Sequence, residues 1–235
     1  MIMKKDVKGL LLVMLFTMLS FSAQAQETQD VKESPMYKLE NIKYQLGLKY
    51  GDANVARSAL YSMLVMDPQN LSLLDSLAYL YYDYQRYTSC ILVCMDLLKI
   101  NPNHLPALEM SAISYESLGL KDKALENFES IYLKQSNIYT LYKVAALQLD
   151  LGRYLESMTN VDILLKNEEI KESKMTINTD QGTQEIAFTA AVYNLKGLIE
   201  SNQEQKEAAK ASFNQALSIE PGFALAKSNL AELDK

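Results

Sequence analysis

The chain has 235 residues, 49% of them hydrophobic, with 29 acidic and 23 basic side chains and a formal net charge of −6. That apolar content can bury a sizeable core and excludes a mostly disordered chain. Two cysteines exclude a disulfide scaffold, and an acidic balance without a basic cluster excludes nucleic acid as the expected partner and gives no charge-driven route to an anionic membrane.

Residues 1–25 read as a secretory signal peptide. The basic stretch "MIMKKDVK" precedes an apolar run from Gly9 to Phe21, and the small residues Ala23 and Ala25 mark a cleavage site expected after Ala25. The run is short for a membrane span, so an uncleaved anchor is the weaker alternative. No cysteine follows the expected cut, which argues against a lipidated N-terminus. The segment carries Lys4, Lys5, Lys8 and Asp6, a net +2, so its removal takes the charge from −6 to −8. The expectation is an exported protein, periplasmic or else secreted, with no transmembrane segment in the mature chain. Residues 26–36 read as a flexible N-terminal segment.

From Tyr37 onward the chain reads as all-helical. It has five prolines, eight glycines and no tryptophan, and long apolar segments of helical pattern run between the breakers. "MDPQN" places Pro68, "INPNH" places Pro102 at a spacing of 34, and "IEPGF" places Pro221. A fixed period of this length is the mark of a repeat architecture.

The 34-residue windows resemble the tetratricopeptide repeat, a helix–turn–helix unit with small and aromatic residues in set slots and a closing proline. Residues 37–68 keep Ala56 and Pro68 but put Tyr44 where a small residue belongs. Residues 71–104 supply Leu74, Leu77, Ala78, Tyr81, Leu97 and Pro102. Residues 105–138 supply Leu108, Ala112, Tyr115, Ala124 and Phe128, with Ser136 where proline is expected. Residues 140–166 carry Leu141, Val144, Ala145, the turn Gly152 to Tyr154, and Leu164. The last window, 190–223, has Tyr193, Gly197, Ala209, Phe213, Ala216 and Pro221 in the slots, and residues 224–235 read as a capping helix. The resemblance implies a right-handed superhelical α-α solenoid of about five helix pairs over residues 37–235. Ala78, Ala112, Ala145 and Gly197 fall where helices approach closely, and the prolines end the second helices.

An insertion of about residues 169–187 interrupts the period. "KMTINTDQGTQEIAF" alternates, and pairing Ile177 with Ile186 and Met175 with Phe188 leaves Asp180 to Thr183 as a four-residue loop. The expectation is a β-hairpin, with a flexible loop as the alternative.

Cys90 and Cys94 fall in the alanine and aromatic slots and read as core thiols. Residues one helical turn apart make a poor disulfide, and a metal site would need more ligands than His104, the single histidine, can complete. The face that lines the inner groove of such solenoids carries Tyr79 and Tyr82 and, two repeats on, Tyr139 and Tyr142. Asp75, Asp83, Glu109 and Glu116 lie between them. The groove is therefore expected to be aromatic and acidic, unless the rings pack on neighbouring repeats. It lacks the lysine, asparagine and arginine set with which some tetratricopeptide domains clamp chaperone C-termini.

No catalytic constellation, phosphate loop, metal set or cofactor motif is present in the sequence. The expected function is a non-enzymatic scaffold that binds a protein or peptide partner in its groove, or through the hairpin, and serves envelope assembly or a secretion-related complex. Glycan or cell-wall binding on the groove tyrosines is the alternative.

Overall fold

A computed structural model describes residues 31–179 and 182–233. The expected signal peptide and its cleavage site lie outside the described residues. The chain divides into two compact units, Met1–Asn103 and His104–Lys235.

The first unit contains α1 (Pro35–Lys49), α2 (Ala53–Met66), α3 (Leu71–Asp83) and α4 (Tyr87–Ile100). The helices pack as pairs, α1 on α2 and α3 on α4, and α2 also packs on α3. The second unit contains α5 (Leu105–Ser117), α6 (Lys121–Gln135), α7 (Ile138–Asp150) and α8 (Tyr154–Lys166). A 3-10 turn (Glu168–Lys171), the strands β1 (Lys174–Thr179) and β2 (Gly182–Ala187), and α9 (Phe188–Asn202), α10 (Lys206–Ile219) and α11 (Ala224–Glu232) complete it. Here α5 pairs with α6, α7 with α8 and α9 with α10, while α11 packs on α10 as the expected cap. No helix among the described residues is long and apolar enough to cross a membrane.

The turn within each helix pair has one construction. Three residues link the helices, and the middle one has a left-handed backbone: Gly51, Gln85, Gly119, Gly152 and Glu204, with φ between 55° and 75°. The N–H of the third turn residue reaches back to a carbonyl near the end of the preceding helix, as in Asp52 to Gly47 at 2.7 Å and Gln205 to Glu200 at 2.9 Å. These bonds satisfy carbonyls that the helix end leaves open. Glycine adopts this conformation freely, whereas Gln85 and Glu204 hold it against side-chain crowding.

The first helices of the first four pairs start at side-chain caps, whereas α9 follows Ala187 without one. Ser34 caps α1, Asn70 caps α3 and Asn137 caps α7. His104 caps α5, its Nδ1 accepting from the N–H of Ala107 at 3.3 Å, which gives the single histidine a structural place. Ser136, where proline was expected, ends α6 in a left-handed backbone with φ 51°.

The close helix contacts fall in the small-residue slots, with one correction. A Cβ on Gly197 would lie 2.5 Å from the ring of Phe213, and Ala78, Ala112 and Ala145 are fully buried. In the fourth pair Ser157 fills the partner slot and donates its hydroxyl to the carbonyl of Ala145 at 2.7 Å. In the first pair the small residue is not at Tyr44 but at Gly47, where a Cβ would lie 2.6 Å from the backbone nitrogen of Ala56. The contact has moved almost one turn along α1, and Tyr44 is left half-buried.

The insertion is a β-hairpin, in a register two residues from the expected one. Met175 pairs with Ile186 and Ile177 with Gln184, and Thr179 faces Gly182, so only Asp180 and Gln181, outside the described residues, connect the strands. Phe188 is the first residue of α9, and its N–H donates to the carbonyl of Ser173 at 2.9 Å. A two-residue shift keeps the same faces together, so alternation alone did not fix the register. The burial of Phe188 did. Ile186 joins Phe223 and Ala226 in one cluster, and Gln184 accepts from the N–H of Ala224 at 3.3 Å and donates to the carbonyl of Gly222 at 2.8 Å. The hairpin thus holds the start of α11.

Candidate partner-binding faces

In the first unit, Tyr79 and Asp83 stand one helical turn apart on α3. Tyr79 is 63% exposed, and Asp83 is exposed too. Tyr82 is half-buried, edge-on to Tyr87 with ring centroids 6.3 Å apart, and Asp75 is half-buried on the same helix. Cys90 and Cys94 are fully buried thiols with sulfurs 3.9 Å apart. The hydrogen bond with Cys90, followed by burial, pushes the Cys94 thiol far up, so it is inert as a nucleophile.

In the second unit the expected groove residues take different parts. Glu109 is exposed on α5. Glu116 accepts from Lys143 at 2.6 Å, so its charge is matched by the next repeat. Tyr139 and Tyr142 meet around Phe188, with centroids 4.8 and 5.5 Å from its ring. The Tyr139 hydroxyl donates to the carbonyl of Lys174 in β1 at 3.0 Å, and 43% of the residue stays exposed. Tyr142 packs against two apolar clusters of this unit, and burial pushes its phenol up to about 12. Among the described residues no three His, Cys, Asp or Glu side chains come together to hold a metal.

Each unit also has a cleft between successive second helices, which the sequence reading did not single out. In the first unit it lies between α2 and α4, about 580 Å³, floored by Leu74, Leu77 and Tyr81 of α3. Tyr61 and Tyr81 join their hydroxyls across it at 2.6 Å, and the Arg57 guanidinium sits 5.8 Å from the Tyr81 ring centre. Burial, then the bond to Tyr61, pushes Tyr81 up to about 12. In the second unit the cleft lies between α6 and α8, about 390 Å³, floored by Leu141, Val144 and Gln148 of α7. Its polar chain runs Asn160 to Gln148 at 2.7 Å and Gln148 to Glu129 at 3.2 Å, each amide donating to the next oxygen. The two clefts use the same repeat slots: Tyr61 corresponds to Glu129, Tyr81 to Gln148, Leu92 to Thr159 and Val93 to Asn160.

The tetratricopeptide-repeat family matches residues 190–223, the helix pair α9–α10 with its closing turn. The chain has the tetratricopeptide-repeat fold. Solved structures share its fold. A tetratricopeptide repeat protein from Parabacteroides merdae matches with a TM-score of 0.64 and 18% identity over 85% of this chain and 73% of its own. YrrB, described as having an unusual peptide-binding site, matches with a TM-score of 0.63 and 13% identity over 88% of this chain and 95% of its own. MamA from Desulfovibrio magneticus matches with a TM-score of 0.59 and 12% identity over 81% and 98%. No curated protein matches the sequence. The tetratricopeptide-repeat fold is a protein–protein interaction scaffold, and the exposed faces of this one are its candidate binding surfaces.

Proposed function

We propose that the protein is a non-enzymatic scaffold, exported to the periplasm, that captures a segment of a partner protein on the first-helix faces of its repeats and serves envelope assembly or a secretion-related complex. The observation that carries this reading is Tyr79, a residue 63% exposed beside the Asp83 carboxylate on α3. A tyrosine in that position offers contact area at low entropic cost, and the acid favours a basic or amphipathic segment. In the second unit Glu109 and the outer half of Tyr139 take the same part. There Phe188 packs against the rings of both Tyr139 and Tyr142, and Glu116 is tied to Lys143. The peptide-binding site of YrrB is a precedent on a similar fold.

A photo-crosslinker placed beside Tyr79 in the mature protein, used in its native envelope, tests the reading. Crosslinking to a defined partner, lost in a Tyr79→Ser, Asp83→Asn variant of unchanged helicity and weakened by salt, supports it. Crosslinking that persists in that variant refutes it, and salt-insensitive capture of a glycan by the same ring points to the other class of ligand. Mass spectrometry of the exported protein is expected to show Gln26 as the first residue. An intact Met1 in the envelope fraction would count against export by cleavage.

A further inference from the structure

The α6–α8 cleft of the second unit combines three properties. Its floor and wall are apolar: Leu141 and Val144 lie beneath, and Leu133 stands 82% exposed at the side. A carboxylate, Glu129, lines the cleft; it feels the Arg153 guanidinium electrostatically, but the direct ion pair of Arg153 is with Glu156. The amides behind Glu129 all point their donors toward it: Asn160 gives to Gln148, and Gln148, only 3% exposed, gives to Glu129. The Gln148 amide, itself held by Asn160, fixes the carboxylate in place beside an apolar slot.

We propose that this cleft receives a lysine or arginine side chain from a segment of a partner protein. The aliphatic stem lies over Leu141, Val144 and Leu133, and the cationic head bonds to Glu129. Long basic side chains have this two-part character, apolar along the stem and charged at the tip. A neutral apolar side chain would leave Glu129 desolvated without a partner, and an acidic one would be repelled. The site lies between the second helices α6 and α8 and shares no residue with the first-helix faces of the proposed function, so it stands or falls independently of them.

The test uses the mature full chain and a blocked peptide, acetyl-Ala-Leu-Arg-Leu-Ala-amide, with a glutamine peptide of the same length as control. The readout is the NMR shift of the Gln148 and Asn160 side-chain amides. Titration with the arginine peptide is expected to move both amides saturably, and the glutamine peptide to leave them still. Glu129→Gln keeps an acceptor for Gln148, so the fold is retained, and is expected to weaken binding at least fivefold. Leu133→Ala, at an exposed position, is expected to weaken it two- to threefold. Tyr79→Ser in the other unit is expected to change nothing here, which separates this site from the first-helix reading. Unmoved amides, equal shifts with the glutamine peptide, or full affinity in Glu129→Gln would overturn the proposal.

Discussion

Replacing Gly197 by alanine adds one methyl group at the tightest contact of the α9–α10 pair. The new Cβ would lie 2.5, 2.6 and 2.9 Å from three ring atoms of Phe213, well inside van der Waals contact. A flexible side chain could swing clear, but Phe213 is 1% exposed and hemmed in by the core. Either the ring leaves its rotamer or the two helices separate. Overpacking of this kind costs about 1–3 kcal/mol. Alanine in a helix interior recovers about 0.5–1 kcal/mol relative to glycine, so a net loss of about 1–2 kcal/mol is expected. At Gly47 the obstacle is the backbone of Ala56 at 2.6 Å, which no rotamer can move aside, and the loss should be larger, about 3 kcal/mol. The assay is the denaturant midpoint by circular dichroism at constant slope. Phe213→Leu in the Gly197→Ala background should return part of the loss, because the clashing ring atoms are gone. A neutral or stabilising Gly197→Ala, or a double variant showing no coupling, would refute the claim that this slot fixes the helix spacing.

Glu204→Gly and Gln85→Gly should each stabilise their unit by about 0.5–1 kcal/mol, because relief of left-handed backbone outweighs the added freedom of the unfolded chain. Thermal melts of the single variants check this. Tyr142 has its folded-state pKa raised from 10.0 to about 12 by burial, so its contribution is intact below pH 10 and is lost as pH rises toward 12. Denaturation across that window should therefore show Tyr142→Phe losing about 2–3 kcal/mol less than the parent, while the two match at neutral pH. Cys90 and Cys94 should react with thiol reagents only after denaturation, and rapid labelling of the native protein would displace them from the core.

Much of the fold was legible because repeat slots recur. Alanine or glycine at a helix crossing and glycine in a left-handed turn are each required by one backbone feature, and the sequence repeats them at the period of the structure. The hairpin was legible as an alternation, but its register was not. Met175, Ile177, Gln184 and Ile186 share a face in either register, and only the commitment of Phe188 to α9 selects between them. The first repeat misled for a related reason. Exchanging the small and large slots, Tyr44 and Gly47, leaves the composition of the turn unchanged while moving the contact along the helix. Tyr139 and Tyr142 were placed on the correct helix. What they meet there depends on Phe188, a residue 49 positions after Tyr139, which no local pattern could supply.

The second-helix clefts were invisible for a different reason, one that bears on where specificity can reside in this fold. The slots that define the repeat are those that let helices approach, and they admit few residues. The slots that line the clefts face outward between second helices, so packing leaves them free to vary. In the first unit they hold Tyr61, Leu92 and Val93, and in the second Glu129, Thr159 and Asn160. One geometry thus presents an aromatic surface in one place and an ordered carboxylate in another. A pattern built from the constrained slots identifies the scaffold and is silent about what it binds, because the residues that would choose a partner are those the scaffold does not need.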